Sequence, residues 1–253
     1  MIMPLCQLPA LYVLSRSLQL FKQQWRPFLR LSWPYWLVTL SAHYFMPKEE
    51  YSVPQTILWG TLLMAITAWV TVRLHRQILL DSLENSSSSG IRELRMIGYW
   101  ILMGTGLFFL LMGSVFVFFY FFEAWLTSFP IFILYLFFSL PCCWLFARWS
   151  LVIPAVAIDQ EPRGLKMAWN LSKPYQTPLF ILLGLLPYSL TVLFMVLIQW
   201  DVTGQWDLLF NAAMYFFWLY QVCVLSLTYH WIVQRSKIER FLDTPSSVTL
   251  VNK

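Results

Sequence analysis

Long apolar stretches alternate along the chain with shorter segments that hold most of the charged residues. A helix needs about 20 apolar residues to cross a ~30 Å hydrocarbon core, because each residue adds about 1.5 Å. These stretches are too long and too continuous for the ten-residue alternating strands of a membrane β-barrel. We therefore predict an all-α integral membrane protein, a single membrane domain over 1–253. Its six transmembrane helices are expected at 28–46, 54–72, 97–122, 130–158, 178–200 and 208–233.

The positively charged residues test the number of crossings independently. Sixteen of the seventeen Lys and Arg residues fall in or beside every second connection, and only Lys48 falls in the other set. The opposite connections carry acidic residues, such as Glu49, Glu123 and Asp201. Cytoplasmic loops of membrane proteins are enriched in Lys and Arg. The distribution therefore predicts six crossings with both termini, including the tail at 234–253, in the cytoplasm.

Two segments on the predicted cytoplasmic side have the pattern of amphipathic helices that lie along the membrane surface. The segment 10–26 repeats apolar residues at steps of three and four, with basic and amide residues elsewhere around the helix. The segment 161–174 has a polar stripe opposite an apolar one. A shorter third copy is expected at 91–97. The apolar residues of the first segment are Leu11, Leu14, Leu18, Phe21 and Trp25, and the polar stripe of the second is Arg163, Lys166, Asn170 and Lys173.

Two interpretations of this order remain open. Each surface helix precedes a membrane hairpin, which suggests three repeats of roughly 75 residues, the length of two spans and a surface helix. Alternatively, any membrane hairpin with basic inner flanks has this appearance.

The composition agrees with a membrane protein and excludes other classes. Hydrophobic residues make up 59% of the 253 residues and charged residues 11%, whereas soluble domains carry about 25% charge. A soluble enzyme and a disordered chain are thereby excluded. The net charge of +5 is explained by anionic lipid rather than by nucleic acid, because the cations are scattered between apolar stretches. The four cysteines form no CxxC or Cys/His cluster, so neither a disulfide framework, a metal site nor a cofactor is predicted.

Residues 148–184 resemble a known bacterial membrane family. The run from Arg148 to Asp159 is an arginine, an apolar stretch with a central proline and an acidic residue, and the run 164–173 is GLKMAWNLSK. This pattern resembles the YciC-type inner-membrane proteins and the multi-span region attached to some glycerophosphodiester phosphodiesterases. The resemblance implies a fold and a location in the bacterial cytoplasmic (inner) membrane. It implies no reaction, because the phosphodiesterase chemistry belongs to a soluble domain that is not found in these residues.

Arg148 is the most informative single residue, since it interrupts an uncharged run from Ala124 to Ile158. A helix that starts at Pro130 puts it about 27 Å along, near the cytoplasmic end of the core, where the guanidinium can snorkel to phosphates. A later start puts it near mid-membrane, where a charge costs at least ~2.5–3.5 kcal/mol. Three roles stay open: a snorkelling cation, a buried structural pair or cation–π contact, and a binding site for a substrate or lipid head group.

Other polar residues in the spans are few. Gln221 is a candidate for a hydrogen bond across helices or for the wall of a substrate path. On the third span, Gly104, Gly106 and Gly113 are expected to allow a neighbouring helix to approach closely. No metalloprotease, P-loop or nucleophile-elbow motif occurs, and the three histidines are far apart in sequence. No catalytic site is therefore predicted.

Three functions follow from these observations. The leading hypothesis is a non-catalytic accessory, scaffold or lipid-interacting envelope protein. Its partners would be anionic membrane lipids and a membrane or cytoplasmic protein, bound through Arg163, Lys166, Lys173 and the basic face of 10–26. The second is a small transporter or permease subunit, with a path lined by Arg148 and Gln221. The third, with least support, is a membrane-embedded enzyme that acts on lipid.

Overall fold

A computed structural model describes residues 9–45, 53–80, 90–126, 131–160, 164–200 and 207–243, and every regular element in these ranges is helical. The helices are α1 (Ala10–Phe45), α2 (Val53–Leu80), α3 (Ile91–Leu126), α4 (Ile131–Trp149), α5 (Val152–Ala157), α6 (Leu165–Ser172), α7 (Gln176–Leu179), α8 (Leu186–Trp200) and α9 (Asp207–Asp243). A 3₁₀ turn (Lys173–Tyr175) joins α6 to α7, and a π-helical segment (Phe180–Leu185) joins α7 to α8.

Five helical segments are long and apolar enough to cross a membrane, so the prediction of an all-α membrane protein is confirmed at that level. They are Val53–Leu80, Ile91–Val117, Phe138–Ala157, Leu165–Phe194 and Leu209–Ser236. The expected crossing at 28–46 is not among them, so the count of six stays a prediction.

The two predicted surface helices at 10–26 and 91–97 are not separate elements. Residues 10–45 form one helix, α1, with a kink at Gln24 (φ −110°, ψ 15°). Pro27 explains the kink, because a proline has no N–H for the helix ladder and its ring crowds the carbonyl four residues before. Residues 91–97 are the first turns of α3, which continues to Leu126.

The predicted fourth span bends near its end. Helix α4 stops at Trp149, and α5 starts at Val152. Pro154 cannot donate to the Ser150 carbonyl, which instead accepts the N–H of Ile153 at 3.0 Å. This hydrogen bond spans three residues instead of the four of an α-helix, and the chain therefore tightens into a turn.

Helix α5 ends in a Schellman motif. The N–H of Gln160 donates to the Ala155 carbonyl at 2.9 Å, and the N–H of Asp159 donates to the Val156 carbonyl at 3.4 Å. Asp159 has φ +55°, a left-handed conformation that glycine usually supplies. The short helix, all of whose residues are buried, is therefore closed by an aspartate.

The expected close approach at the glycines of α3 is wrong. A side chain at Gly104, Gly106 or Gly113 would meet no atom within 4 Å, because this stretch of α3 is exposed on the outside of the bundle. The close contact lies at Gly184 instead, where an added Cβ would be 2.7 Å from the carbonyl oxygen of Cys143. The π-helical segment and α4 therefore pack backbone against backbone.

Apolar side chains of several elements meet at one end of the bundle. A buried cluster there joins the start of α1, α4 through α7, the π-helical segment and the end of α9, and Leu79 of α2 and Tyr99 of α3 pack against it. We call this end the basic end, because the arginines at the end of α2, the start of α3 and the end of α4 lie there. A second cluster joins α1, α2 and α9, and a third joins α2, α3 and α5.

Candidate functional site

The Arg148 side chain lies inside the basic end and is only 2% exposed. Its Nη2 donates to the backbone carbonyl of Trp169 at 2.7 Å, and its Nε donates to Ser172 Oγ at 3.0 Å. Both partners belong to α6, which packs over the end of α4. Arg148 therefore connects two helices and does not snorkel to the surface.

Two indole rings enclose the same guanidinium. Its central carbon lies 3.3 Å from the ring centroid of Trp169 and 5.1 Å from that of Trp144, and the two rings meet edge to face. Such cation–π contacts are strongest where water is excluded. Of the three roles expected for Arg148, the geometry matches the buried structural contact.

The Trp169 carbonyl is available because of a proline. Pro174 has no N–H with which to bond the Asn170 carbonyl, so the N–H of Lys173 takes that carbonyl in a 3₁₀ turn. The Trp169 carbonyl is then left without its usual backbone donor. Arg148 and the hydroxyl of Ser172, at 2.9 Å, supply the missing hydrogen bonds.

A second arginine has the same kind of role. Arg76, on α2, is buried, and its Nη1 donates at 3.2 Å to the carbonyl of Ala157, the last residue of α5. A cation at a helix C-terminus satisfies an orphan carbonyl and opposes the negative end of the helix dipole. The span expected at 54–72 ends before Arg76, because the apolar run alone does not show that α2 continues to Leu80.

Asp159 pairs with the start of α3. Its carboxylate accepts a hydrogen bond from Arg92 Nε and lies 3.5 Å from Arg95 Nη1. The acidic residue of the run from Arg148 to Asp159 therefore holds α3 against α5, just as the arginine holds α4 against α6. Arg148, which is buried, and Asp159, which is partly exposed, thus form a brace between helices at the basic end.

The other candidate residues lie apart from this brace. Lys166 and Asn170 are exposed on α6 and Lys173 on the 3₁₀ turn that follows, while Ala168 of α6 is buried. Arg163 lies outside the described residues. The structure records no hydrogen bond between Arg148 and either lysine.

A cavity of about 320 Å³ lies between the helices, and Gln221 lines it. Its walls come from α2, α4, α5, α8 and α9, with single residues of α3 and the π-helical segment. Among the described lining residues none carries a charge, and Arg148 is not one of them. The polar lining residues are Thr71, His75, Ser150, Thr191 and Gln221.

Three of these polar side chains already use their protons. Thr71 Oγ1 donates to the Thr67 carbonyl at 2.6 Å, Ser150 Oγ to the Ala147 carbonyl at 3.0 Å, and Thr191 Oγ1 to the Pro187 carbonyl at 2.8 Å. Each hydroxyl therefore bonds back to its own chain segment. Two buried nitrogens of lining residues, His75 Nε2 and Gln221 Nε2, have no hydrogen-bond partner among the residues that the structure describes.

His75 is paired on its other nitrogen with a residue 151 positions away. Its Nδ1 lies 2.7 Å from Ser226 Oγ, and that hydroxyl gives its single proton to the Val222 carbonyl at 2.8 Å. With the proton so assigned, Nδ1 is the donor to Ser226. In a neutral imidazole of this tautomer the other nitrogen, Nε2, is an acceptor, and His75 is among the residues that line the cavity. The sequence did not reveal this pair, because only the packing of α2 on α9 brings the two residues together.

Metal chemistry finds no support in this part of the chain. Within the described ranges, no group of three or more His, Cys, Asp or Glu side chains is placed to hold a metal ion.

Ser226 is fully buried and does not line the cavity.

Comparisons with known proteins supply no further assignment. No family model, no curated protein and no solved structure matches the chain.

Proposed function

We propose that the protein is a non-catalytic accessory or scaffold protein of a bacterial inner membrane that binds anionic lipid at its basic end. It would cross the membrane six times with both termini in the cytoplasm. The bacterial location rests on the resemblance of residues 148–184, and the orientation rests on the distribution of Lys and Arg.

The first half of α1 carries the proposal, because it has three distinct faces. Val13 and Ser17 are buried against the bundle. A second face is apolar yet exposed, with Leu11 82% exposed and Leu18 and Trp25 each 46% exposed. Its seven-residue spacing keeps these side chains on one line of the helix.

The third face, beside the apolar one, is basic. Arg16, Lys22 and Arg26 are all exposed, and the Arg26 guanidinium lies 5.5 Å from the ring centroid of Trp25. An exposed apolar stripe next to cations is the arrangement of a helix that rests between lipid tails and anionic head groups. Lys166 of α6 and Lys173 of the 3₁₀ turn add exposed cations in the same part of the bundle.

Lipid retention tests this function. The chain is purified in mild detergent from a membrane of known lipid composition, and the retained lipid is measured by mass spectrometry. Each cation near an anionic surface contributes about 1 kcal/mol. A triple variant with Arg16, Lys22 and Arg26 changed to Gln should therefore lower the affinity for anionic lipid by up to roughly a hundredfold.

The matched control is the pair Gln23→Ala and Asn170→Ala, which removes exposed polar side chains from α1 and α6 without changing charge. It should leave the lipid profile unchanged. Equal retention of anionic and zwitterionic lipid by the unaltered chain would refute lipid binding. If a protein co-purifies in a fixed ratio with the unaltered chain but not with the triple variant, the basic residues bind a protein partner rather than lipid.

The second candidate, a small transporter or permease subunit, is favoured by one observation: Gln221 lines an interhelical cavity. Arg148, the other expected path residue, is packed under α6. Alternating access predicts that Ser150→Cys, in a chain without its native cysteines, reacts with a membrane-impermeant thiol reagent from both faces. Reaction from neither face would exclude a path. An enzyme that acts on lipid has least support, since the sequence contains no recognisable catalytic motif.

A further inference from the structure

We propose that the cavity between α2, α4, α8 and α9 binds an uncharged lipid that carries a hydroxyl group, such as a long-chain alcohol or a diacylglycerol. His75 Nε2 and Gln221 Nε2 would make the hydrogen bonds to that hydroxyl. This site is separate from the basic end, on which the proposed function rests.

The first reason is an unused acceptor. His75 is fully buried, and a proton on Nδ1, donated to Ser226, leaves Nε2 with a free lone pair. A buried polar atom without a partner destabilises a protein, and such atoms are rare in native structures. Held by its hydrogen bond to Ser226, the imidazole of this cavity-lining residue is a pre-oriented acceptor.

The second reason is an unused donor in the same wall. Gln221 Nε2 is buried without a hydrogen-bond partner, although an amide nitrogen has two protons to give. A hydroxyl group both donates and accepts, so one such group matches the pair of nitrogens. An ether or a hydrocarbon would leave the acceptor His75 Nε2 unsatisfied.

The rest of the lining selects an apolar molecule without charge. Aromatic and aliphatic side chains make up most of the wall, including Trp100, Phe146, Phe217 and Trp218. Since no described lining residue is charged, nothing there compensates a phosphate or a carboxylate, whose burial would be costly. The volume of about 320 Å³ is at the lower end of ligand pockets, which suits the hydroxyl-bearing end of a lipid with its chain leading away.

Photolabelling tests the site in the full-length chain in detergent or lipid. The probe is a long-chain alcohol with a diazirine near its hydroxyl, and the labelled peptides are identified by mass spectrometry. Labels are expected on α2 or α9 next to the cavity. The unlabelled alcohol should compete with the probe, whereas its methyl ether and the corresponding fatty-acid anion should compete at least fivefold less.

Two variants examine the site from different directions. Gln221→Leu removes the donor at similar size and should reduce labelling about fivefold to tenfold, the effect of one lost hydrogen bond. Thr191→Phe keeps both nitrogens and fills space in the cavity, and it should reduce labelling as well. Gel filtration shows how much of each variant is folded, and labelling is expressed per folded chain.

Thr228→Val is the matched control, because Thr228 is a fully buried residue of α9 whose hydroxyl has no partner and does not line the cavity. Its labelling should equal that of the unaltered chain. Equal competition by alcohol, ether and anion would overturn the proposal, as would labelling that Gln221→Leu and Thr191→Phe leave unchanged. Either result means that the cavity holds only water or passing acyl chains. Retention of anionic lipid at the basic end should not change in Gln221→Leu, so the two proposals fail independently.

Discussion

Two buried arginines at the basic end donate to backbone carbonyls at helix ends. Arg148 satisfies the Trp169 carbonyl, which the 3₁₀ turn at Pro174 leaves free. Arg76 caps the last carbonyl of α5. Where a membrane helix lacks a backbone hydrogen bond, no water is nearby to supply one. A buried guanidinium can donate that hydrogen bond instead.

Arg148→Ala should lower the free energy of unfolding by about 3 kcal/mol, because it removes two charged hydrogen bonds and a desolvated cation–π contact. Thermal unfolding in detergent measures the loss. Arg148→Lys should recover part of it, since an ammonium can replace one bond but not the contact of the planar guanidinium with the Trp169 ring.

Lys166→Ala is the control for Arg148→Ala. Lys166 is an exposed cation of α6, and its removal should change stability by no more than about 0.5 kcal/mol. If Arg148→Ala instead keeps full thermal stability and abolishes retention of anionic lipid, Arg148 is a ligand-binding residue and the structural role is wrong.

Asp159 combines a left-handed backbone with an ion pair, and substitutions can separate the two. Asp159→Asn keeps a side chain that tolerates φ +55° and loses the charge. It should cost less than about 1 kcal/mol, because the carboxylate is 41% exposed. Asp159→Val loses both features and should cost about 2 kcal/mol. Equal melting temperatures for the two variants would contradict the role of the backbone.

At Gly184, the backbone of the π-helical segment lies close to the backbone of α4. Gly184→Ala places a Cβ 2.7 Å from the Cys143 carbonyl, so the two backbones must separate, at a cost of about 1–3 kcal/mol. Gly113→Ala on α3 has open space around it and should be neutral or stabilising. Thermal unfolding of both variants compares them, and an equal response would mean that the close approach is unimportant.

The elements were predictable to the extent that helix length and apolar content decide them. The long apolar runs predicted the helical segments that the structure shows to be long and apolar enough to span a membrane. The joining of 10–26 to 28–46 was not predictable, because Pro27 can either end a helix or only kink it. The wrong expectation for Gly106 and Gly113 has a related cause: glycine spacing shows that a face is smooth but not whether another helix covers it.

The arrangement of the whole molecule depends on whether α1 crosses the membrane. If it does, both termini lie in the cytoplasm. If only the five segments that are long and apolar enough cross, the termini lie on opposite sides. Reporter proteins that are active on one side only, fused in turn to each terminus, decide between these outcomes. We expect cytoplasmic signals from both, and a periplasmic signal from either terminus would refute the six-span topology.

Long-range packing also limits how much of the candidate sites could be predicted. Arg148 was identified from the sequence because a lone charge in an apolar run is visible there, and its contact with an aromatic ring was one of three expectations. The pairing of His75 with Ser226 was invisible, since it requires that α2 and α9 be neighbours. Gln221 was expected as a polar residue within a span, and only the structure adds the cavity beside it.

The bond between Arg148 and Trp169 also has a consequence for biosynthesis. The ribosome makes the arginine 21 residues before the tryptophan and 24 before Ser172, which is roughly one to five seconds at 5–20 residues per second. During that interval the guanidinium has none of its final partners, and at the centre of the bilayer a lone charge costs ~2.5–3.5 kcal/mol. We therefore expect the translocon to retain the nascent fourth helix until α6 emerges, so that the two enter the lipid together.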